Sequence, residues 1–364
     1  WDDSKTVGAD WTRWASTNTN YFASLSHEFA NGWKAALDLD RSENDANLHL
    51  LYLSGAPDRD TGLGMSASPY RSDTSRSQNN IGVNVAGTYA LLGREHEAVL
   101  GYSWSKETAK TDYFPELSVP DVGNFNEWDG SYPEPEWGAR TRDIDLDRKQ
   151  TGFYVASRLS LTDALKLVLG GRLADWKTDG QQYGAEVDYS DNNVFLPYAG
   201  ALYDFNDAIT SYLSYTEIFK PQSELDRNGN QLDPIIGKSY ELGVKMGFFA
   251  NALDTNITLF RIEQDNLAQT DTGFLVPGTI FEASRAAQGT TSEGFELEVV
   301  GAITPDWAIS ASYTQFKAQD ADNQDVNTDQ PRKMFKLFST YTLPGAWSDL
   351  TVGGGINWED ANYT

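Results

Sequence analysis

The chain contains no cysteine among its 364 residues, and it has only three histidines. The lack of cysteine excludes structural disulfides and thiolate metal sites. The histidines are His27, His49 and His96, and they share no ligand spacing, so isolated structural roles are favoured over a metal site. No phosphate-binding glycine loop, zinc signature or heptad repeat is present. The sequence therefore offers no motif for a resident metal or cofactor, and it predicts none.

Basic residues are scarce. Lysine and arginine number 28 against 53 aspartates and glutamates, which gives a net charge of -25. A protein this acidic cannot bind nucleic acid through its phosphates, so that class of partner is excluded. Solvated loops are the favoured explanation of the acidity. Acidic runs such as Asp143, Asp145 and Asp147 would permit a divalent cation, but they lack a tight loop signature.

Long apolar runs are also absent, and none approaches the roughly 20 residues of a membrane helix. Apolar residues instead alternate with polar ones, most clearly between Tyr240 and Phe248. A period of two indicates a strand with one apolar and one polar face. Similar segments recur later in the chain. On this basis we expect four residues to face lipid: Val244, Leu297, Ile309 and Val352.

The fold class follows from many such strands in succession. Aromatic residues make up 13% of the chain, a level typical of a protein with aromatic girdles at a membrane interface. Apolar-out, polar-in strands with flanking aromatics are the pattern of a transmembrane barrel. We therefore predict an all-β, transmembrane antiparallel β-barrel in an outer membrane. A soluble β-sandwich or propeller rich in tyrosine and tryptophan is the alternative.

The sequence predicts about fifteen strands, with Trp33–Asp40 and Leu48–Leu53 as separate strands. Short turns are expected at Gly93, Asn206–Asp207 and Pro305–Asp306. Bacterial barrels have short periplasmic turns and longer extracellular loops, so we assign these turns to the periplasm and the long connections to the cell exterior. The long connections predicted are Ala56–Asn79, Lys106–Arg148, Thr178–Asn192, Glu217–Ile236 and Asp320–Pro331.

The longest of these connections is rich in aromatic rings and prolines, which give a rigid contact surface at low entropy cost. No predicted strand lies near enough to bury its rings. They therefore either contact a bulky ligand or pack on one another as a lid. Trp128 is the first candidate for ligand contact. The other candidates are Tyr132 and Trp137, with Tyr113 and Phe114 as secondary walls.

A basic segment follows the aromatic one and includes Arg140, Arg142, Arg148 and Lys149. Arg142 is retained as a candidate for an anionic ligand group. Pairing of this segment with Asp143, Asp145 and Asp147 is favoured over ligand binding. Carboxylate pairs are common in the chain, but no catalytic Ser/His/Asp set can be assembled from three scattered histidines.

Several motifs resemble TonB-dependent ferric-siderophore receptors, most closely those for hydroxamate, coprogen and pyoverdine-like siderophores. The resemblance extends over about residues 80 to 364, and it is specific only when the motifs are taken together. It also includes the loop from Trp128 to Trp137. The matching segments are Tyr215–Gln222, Leu232–Glu241, Leu259–Gln269, Glu293–Glu298, Asn327–Arg332, Gly353–Trp358 and Gly170–Leu173.

The resemblance implies a barrel of 22 strands that is filled by an N-terminal plug. It implies a ferric siderophore bound at the outer mouth, with iron held through the siderophore rather than by the protein. It also implies coupling to the inner-membrane TonB complex. About fifteen predicted strands, with no plug visible, indicate that residues 1–364 are a partial β-barrel domain without the N-terminal plug and the C-terminal strands.

The expected function is energy-coupled import of a ferric siderophore, of the hydroxamate type, across the outer membrane of a Gram-negative bacterium. No covalent chemistry is expected. A passive porin is the first alternative, and it would need a lumen constricted by charged rings. An outer-membrane barrel enzyme is less favoured. The expected partners are the siderophore, the TonB complex, outer-membrane lipid, and a phage or bacteriocin that exploits the loops.

Overall fold

The computed structural model of the chain describes residues 8–287, 289–326 and 329–361. Asn327 and Thr328, which begin one of the family motifs, lie outside the described residues. Two short 3-10 turns occur within these ranges, at Phe125–Glu127 and Gly345–Trp347. No helix in the described part of the chain is long and apolar enough to cross a membrane. The strands are β1 Arg13–Glu28, β2 Lys34–Ser54, β3 Ser66–Leu91, β4 Arg94–Tyr113, β5 Thr141–Ser160, β6 Leu165–Gln182, β7 Ala185–Asn206, β8 Ile209–Lys220, β9 Ile235–Phe248, β10 Leu253–Asp265, β11 Leu267–Leu275, β12 Glu282–Ala287, β13 Thr291–Thr304, β14 Trp307–Gln319, β15 Lys333–Thr342 and β16 Thr351–Glu359.

Fourteen of these strands form one antiparallel sheet in which each strand pairs with its neighbours in sequence. The exception to simple succession is the β11–β12 hairpin, which stands apart from the sheet between β10 and β13. Within the described residues β1 pairs only with β2, and β16 only with β15, so the sheet is an open barrel wall. The prediction of an all-β antiparallel membrane barrel is confirmed.

One face of the sheet carries continuous apolar rows, because directly paired residues of adjacent antiparallel strands share a face. We call this the outer face. The large side chains in these rows are well exposed, with Phe153 at 50% and Phe195 at 62%. Exposure on this scale fits contact with lipid. All four residues predicted to face lipid lie on this face. One row is Leu25, Leu37, Val83, Tyr102, Phe153, Leu173 and Phe195; another is Val244, Ile257, Leu297, Tyr313, Phe335 and Trp358.

The opposite, inner face is built from small and polar residues with interspersed tyrosines. Tyr154 lies on Gly101, directly across from it, and a Cβ on that glycine would come within 2.4 Å of the ring. Tyr198 covers Gly170 in the same way, and Tyr212 covers Gly243. A strand glycine leaves room for close approach of a neighbouring group. These glycines therefore hold tyrosine rings flat against the inner wall.

Short turns lie at one end of the sheet and the long connections at the other, as predicted, except that β6 and β7 are also joined by a short turn at the long-loop end. The turns at Gly93, Asn206–Asp207 and Pro305–Asp306 are short and share one end. The long connections share the other end and comprise residues 55–65, 114–140, 221–234 and 320–332, together with the segment that contains the β11–β12 hairpin. The assignment of the long-loop end to the cell exterior stays a prediction.

Several predicted strand boundaries are wrong. The predicted loop Ala56–Asn79 is strand from Ser66 onward, and the ends of the predicted loop Lys106–Arg148 belong to β4 and β5. Trp33–Asp40 and Leu48–Leu53 are parts of one strand, β2, and the predicted loop Thr178–Asn192 is a continuation of β6 and β7. The latter strands meet at a two-residue turn, with φ of 50° at Tyr183 and 79° at Gly184, as hairpin turns require. The cause is the same in all these places. Beyond the apolar rows both faces of a strand meet water, so the alternation that reveals a strand disappears.

Candidate ligand-binding loops

The connection between β4 and β5, residues 114–140, is a folded loop, and we call it the β4–β5 loop. Its 3-10 turn at Phe125–Glu127 is capped by Asn124, whose side chain accepts a hydrogen bond from the backbone N–H of Asn126. The backbone N–H of Phe125 donates to Gly62 O in the β2–β3 loop at 2.9 Å. Gly62 has φ of 68°, and a Cβ there would collide with Asn124. The two loops therefore support each other.

The predicted rings Trp128 and Tyr132 lie in one aromatic cluster with Phe125. The ring centroids of Phe125 and Trp128 are 5.8 Å apart, and those of Trp128 and Tyr132 are 6.0 Å apart. Tyr132 is only 6% exposed and packs with Ala9 and with Leu51 of β2. The expectation that no strand lies near these rings is wrong, because β2 extends above the apolar rows and supports them.

The edges of this cluster are held by directed hydrogen bonds. Tyr132 donates from its hydroxyl to Pro120 O at 2.7 Å, and its own carbonyl accepts from Trp11 Nε1 at 3.0 Å. Burial raises the pKa of Tyr132, with a smaller contribution from Asp121. The phenol therefore stays protonated and donates. These contacts hold the ring of Tyr132 inside the loop, while Trp128 lies half-buried beside it.

Trp137 packs against His49 of β2. Its ring lies edge-on to His49 at 6.1 Å and to Trp11 at 6.2 Å. The carboxylate of Glu134 accepts from Trp137 Nε1 at 3.0 Å and lies 3.1 Å from His49 Nδ1. Arg13 Nη2 is 2.8 Å from His49 Nε2. Arginine has no acceptor, so Nε2 accepts and Nδ1–H donates to Glu134, which assigns the neutral tautomer.

The pKa shifts at this contact agree with that assignment. Burial is the largest cause that lowers the pKa of His49, and Arg13 and Arg71 lower it further, while Glu134 opposes them. The hydrogen bond from Trp137 is the largest cause of the lowered pKa of Glu134. Within the described residues no group of three or more His, Cys, Asp or Glu side chains is arranged to hold a metal ion. His49 thus serves as a structural link between strand and loop.

The remaining predicted residues lie apart from this cluster. Tyr113 donates to Glu116 Oε2 at 2.7 Å, and this contact is the largest cause that raises its pKa to about 12. By strand register Tyr113 shares the inner face with Tyr70, and their rings are 5.7 Å apart. Phe114 lies under the guanidinium of Arg71, at 4.2 Å from ring centroid to Cζ. The six candidates therefore do not form a single pocket.

Arg142 is held by carboxylates, as the sequence favoured, although its main partner was not foreseen. Its Nε lies 2.7 Å from Asp112 of β4, and a second contact reaches Asp145 at 3.7 Å. Arg140 also reaches Asp112, at 3.3 Å. Asp112 was missed because the register between β4 and β5 shifts by a bulge next to it, and sequence alone gives no sign of that shift.

Sequence reasoning also missed several side chains on the inner face. Trp176 of β6 lies on the inner face and donates from Nε1 to Thr178 Oγ1 at 3.0 Å. Tyr70 of β3 lies on the same face. Arg172 is stacked over Gly152, where a Cβ would lie 2.5 Å from its Nε. Tyr70 was missed because it falls in the predicted loop Ala56–Asn79, which is strand from Ser66 onward. Arg172 and Trp176 lie within a predicted strand, and the alternation of inner and outer residues would have identified them.

A second loop group lies between β8 and β13. Gln222, from the motif Tyr215–Gln222, donates from its amide to Asn266 O at 2.8 Å and also contacts Asp233 O. Arg227 of the β8–β9 loop pairs with Asp271 of β11 at 2.8 Å and stacks on Phe274 at 3.6 Å. Beyond this anchor the hairpin ends in an exposed apolar tip, with Ile280 87% and Phe281 70% exposed.

The fold and loops can be compared with known proteins. The family model described as TonB dependent receptor-like, beta-barrel matches residues 1–364. The ferric-pyoverdine BN7/BN8 receptor of Pseudomonas putida is 35% identical over 98% of this chain and 44% of its own length. The chain thus spans about half the length of the curated relatives that it matches.

Solved structures give the same result. The structure of P. aeruginosa FpvA bound to heterologous pyoverdines has a TM-score of 0.90 at 31% identity, covering 97% of this chain and 47% of that one. The FpvAI–pyocin S2 complex has a TM-score of 0.89 at 31% identity, with coverage of 97% and 48%. The family match and the relatives both indicate the outer membrane. The chain therefore belongs to the β-barrel family of TonB-dependent receptors, which reside in the outer membrane of Gram-negative bacteria.

Proposed function

We propose that the chain is the barrel part of a receptor that binds a ferric siderophore at the long-loop end and imports it with energy supplied from the inner membrane. The observation that carries the proposal is a set of rigid, aromatic loops mounted on a lipid-facing wall. The similarity to ferric-pyoverdine receptors supports it. The N-terminal plug and the remaining strands are proposed to complete the barrel, and the plug to connect it to TonB.

The siderophore is proposed to be of the hydroxamate type. A ferric trishydroxamate is bulky and close to neutral, so aromatic rings with a few hydrogen-bond donors suit it better than a clamp of charges. The acidic chain would repel a neutral complex little. Arg142 is already paired with Asp112, which leaves ring contact as the main source of affinity.

Trp128 is the proposed first contact, because it is half-buried, flanked by Phe125 and Tyr132, and placed on a loop that the β2–β3 loop and the segment before β1 support. Trp137 and Tyr132 are proposed to hold that surface, and Phe114, which lies apart from it, to form a separate secondary wall. Tyr113 and Tyr70 lie on the inner face and are proposed to meet the ligand after it enters the mouth.

Binding and uptake measurements on the complete receptor test this proposal. Ferric siderophores of hydroxamate, catecholate and mixed type are titrated against the purified protein, and uptake is followed in cells. We expect saturable uptake of the hydroxamate class that a protonophore abolishes, and preference for another class would contradict the proposed ligand type. Uptake that rises linearly with concentration and ignores the protonophore would indicate a porin. Turnover of a lipid or peptide would indicate an enzyme.

A second proposed role is recognition of a protein toxin by the apolar tip of the β11–β12 hairpin. Ile280 and Phe281 are exposed although Arg227 anchors the base of the hairpin. One similar protein has been solved in complex with pyocin S2, which favours a bacteriocin over a phage. Substitution of both residues by serine is expected to protect cells from such a toxin without reducing siderophore uptake. If the toxin killed the variant strain and the parent strain equally, the hairpin tip would not be its recognition site.

A further inference from the structure

The outer face changes character just above the apolar rows, on the side of the long loops. On β4 the outward residues Leu100, Tyr102 and Trp104 are followed by Lys106. On β5, Phe153 and Thr151 are followed by Lys149. Lys177 occupies the same level on β6, and Arg41 does so on β2. The wall thus carries cations at the level where hydrocarbon gives way to headgroups.

These residues form a single row across five strands, which we call the cationic row. Lys106 pairs directly with Lys149, and Lys149 pairs directly with Lys177. Asn79 stands between Lys106 and Arg41, and its side-chain oxygen accepts from Arg41 Nη1 at 3.0 Å. With strands about 4.8 Å apart, the row is about 19 Å long.

Like charges directly opposite each other on adjacent strands destabilise a sheet. The positive charge of three adjacent lysines must therefore be balanced by negative charge. The chain supplies carboxylate partners only on the side of the long loops. On the same outer face, acidic residues lie two positions nearer to the long loops than the row does. Their ion pairs are Arg41–Glu43 at 2.6 Å, Lys106–Asp147 at 2.8 Å and Lys177–Asp179 at 3.5 Å.

The membrane side of the row carries one carboxylate, Asp175 of β6, which accepts hydrogen bonds from Thr151 Oγ1 and the backbone N–H of Asn193 and makes no ion pair within 4.0 Å in the described part of the chain. Lys149 is exposed, and within the described part of the chain no carboxylate oxygen lies within 4.0 Å of its Nζ. Arg41 and Lys177 keep about half of their side-chain surface exposed despite their ion pairs. Lysine stems lie readily along an apolar surface while the ammonium reaches a polar layer. The row is therefore open to anions that lie in the headgroup layer.

We propose that the cationic row binds phosphate groups on lipid headgroups of the outer leaflet. Charge complementarity supports this occupant, because the row is positively charged although the protein has a net charge of -25, and the row lies at the depth of those phosphates. Continuity with the apolar rows supports it as well, since one lipid covers both surfaces. A headgroup with more than one phosphate fits the length of the row. The proposal is independent of the siderophore.

The test compares lipid binding by the complete receptor and by a triple variant, Lys106→Gln with Lys149→Gln and Lys177→Gln. The probes are diphosphoryl lipid A and the same glycolipid without its phosphates, in neutral detergent, with native mass spectrometry as the readout. Each lysine near an anionic surface contributes about fivefold in affinity, so the triple variant should bind diphosphoryl lipid A roughly 100-fold more weakly. The dephosphorylated glycolipid should bind weakly to both proteins.

A matched control removes three lysines from the inner face, at Lys34, Lys245 and Lys336. Its affinity for diphosphoryl lipid A should stay within about twofold of the parent protein. If the triple variant fails to fold, Lys149→Gln alone breaks no ion pair and should weaken binding about fivefold. Unchanged binding by the folded variants would overturn the proposal. Equal binding of the dephosphorylated glycolipid, or displacement by millimolar inorganic phosphate, would overturn it too.

Discussion

His49 and Glu134 connect the barrel wall to the aromatic β4–β5 loop through a 3.1 Å contact between Nδ1 and a carboxylate oxygen. His49 is 3% exposed and belongs to β2, whereas Glu134 belongs to the β4–β5 loop. Trp137 donates to the same carboxylate oxygen, so one acidic side chain holds both a strand and a loop tryptophan. The position of the predicted ligand surface therefore depends on this contact.

The β4–β5 loop should loosen in mild acid. Burial keeps the pKa of His49 below its usual 6.5, so the folded site holds neutral His49. A histidine with a lowered folded pKa binds fewer protons than the unfolded chain, and stability is therefore lost as pH falls below about 6.5. A proton on His49 would face Arg13 and Arg71. Hydrogen-exchange protection of residues 114–140 should fall between pH 7.5 and 5.5.

The control for that effect is His49→Gln, which keeps a hydrogen-bonding side chain but cannot titrate. Its loop protection should be lower at pH 7.5 and nearly independent of pH. His27→Gln, at the short-turn end of β1, should behave like the parent protein. The same loss of protection on acidification in His49→Gln would show that another group controls the loop.

A lysine in the middle of the apolar rows should strongly destabilise the barrel. Leu297 lies on the outer face and is paired with Ile257 and Tyr313. Leu297→Lys should lower the free energy of unfolding in lipid vesicles by about 2–4 kcal/mol. The neighbouring inner-face variant Glu298→Lys should cost much less, because its side chain meets a wet lumen. Equal losses in denaturant titrations would show that the faces are assigned wrongly.

The assignment of the two ends can be tested with inserted epitopes. Ser118 lies in an exposed part of the β4–β5 loop, between Leu117 and Val119, and Asp306 lies in a short turn. An antibody added to intact cells should label an epitope inserted at Ser118 and not one at Asp306. Permeabilised cells should be labelled in both strains. Labelling at Asp306 in intact cells would reverse the topology.

The sequence predicted the membrane wall well because lipid imposes a period of two on it. Leu297 and Val299 alternate with glutamates, so β13 is evident from sequence alone. The period fails where both faces are wet, which is why the seven residues from Arg41 to Asn47 and the tip of the β6–β7 hairpin were taken for loops. The register of β4 against β5 depends on a bulge, so the pairing of Asp112 with Arg142 had no signal in the sequence.

The candidate site was predictable in composition but not in arrangement. Aromatics and prolines marked the β4–β5 loop as rigid, and Trp128 and Tyr132 do lie together. The support that β2 gives them through Leu51 and His49 depends on how far β2 extends beyond the membrane. Tyr113 is separated from the other rings because its position along β4 places its side chain on the inner face. Neither property is encoded locally.

The aromatic loop yields the sharpest prediction. Trp128→Ala should weaken binding of the cognate ferric siderophore by about 10- to 100-fold, because one buried aromatic contact is worth about 1–3 kcal/mol. Tyr132→Ala and Trp137→Ala should also weaken binding, but through a loosened loop, since Tyr132 is buried and Trp137 holds Glu134. Tyr132→Phe keeps the ring and loses only the hydrogen bond to Pro120, so it should retain most of the affinity.

Trp347→Ala is the control for these variants, because it removes an exposed ring from a short turn at the other end of the sheet, and it should bind normally. Calorimetry on the folded complete receptor measures each affinity, and hydrogen exchange separates direct contact from loop loosening. Normal affinity in all three alanine variants would remove the β4–β5 loop from the binding site.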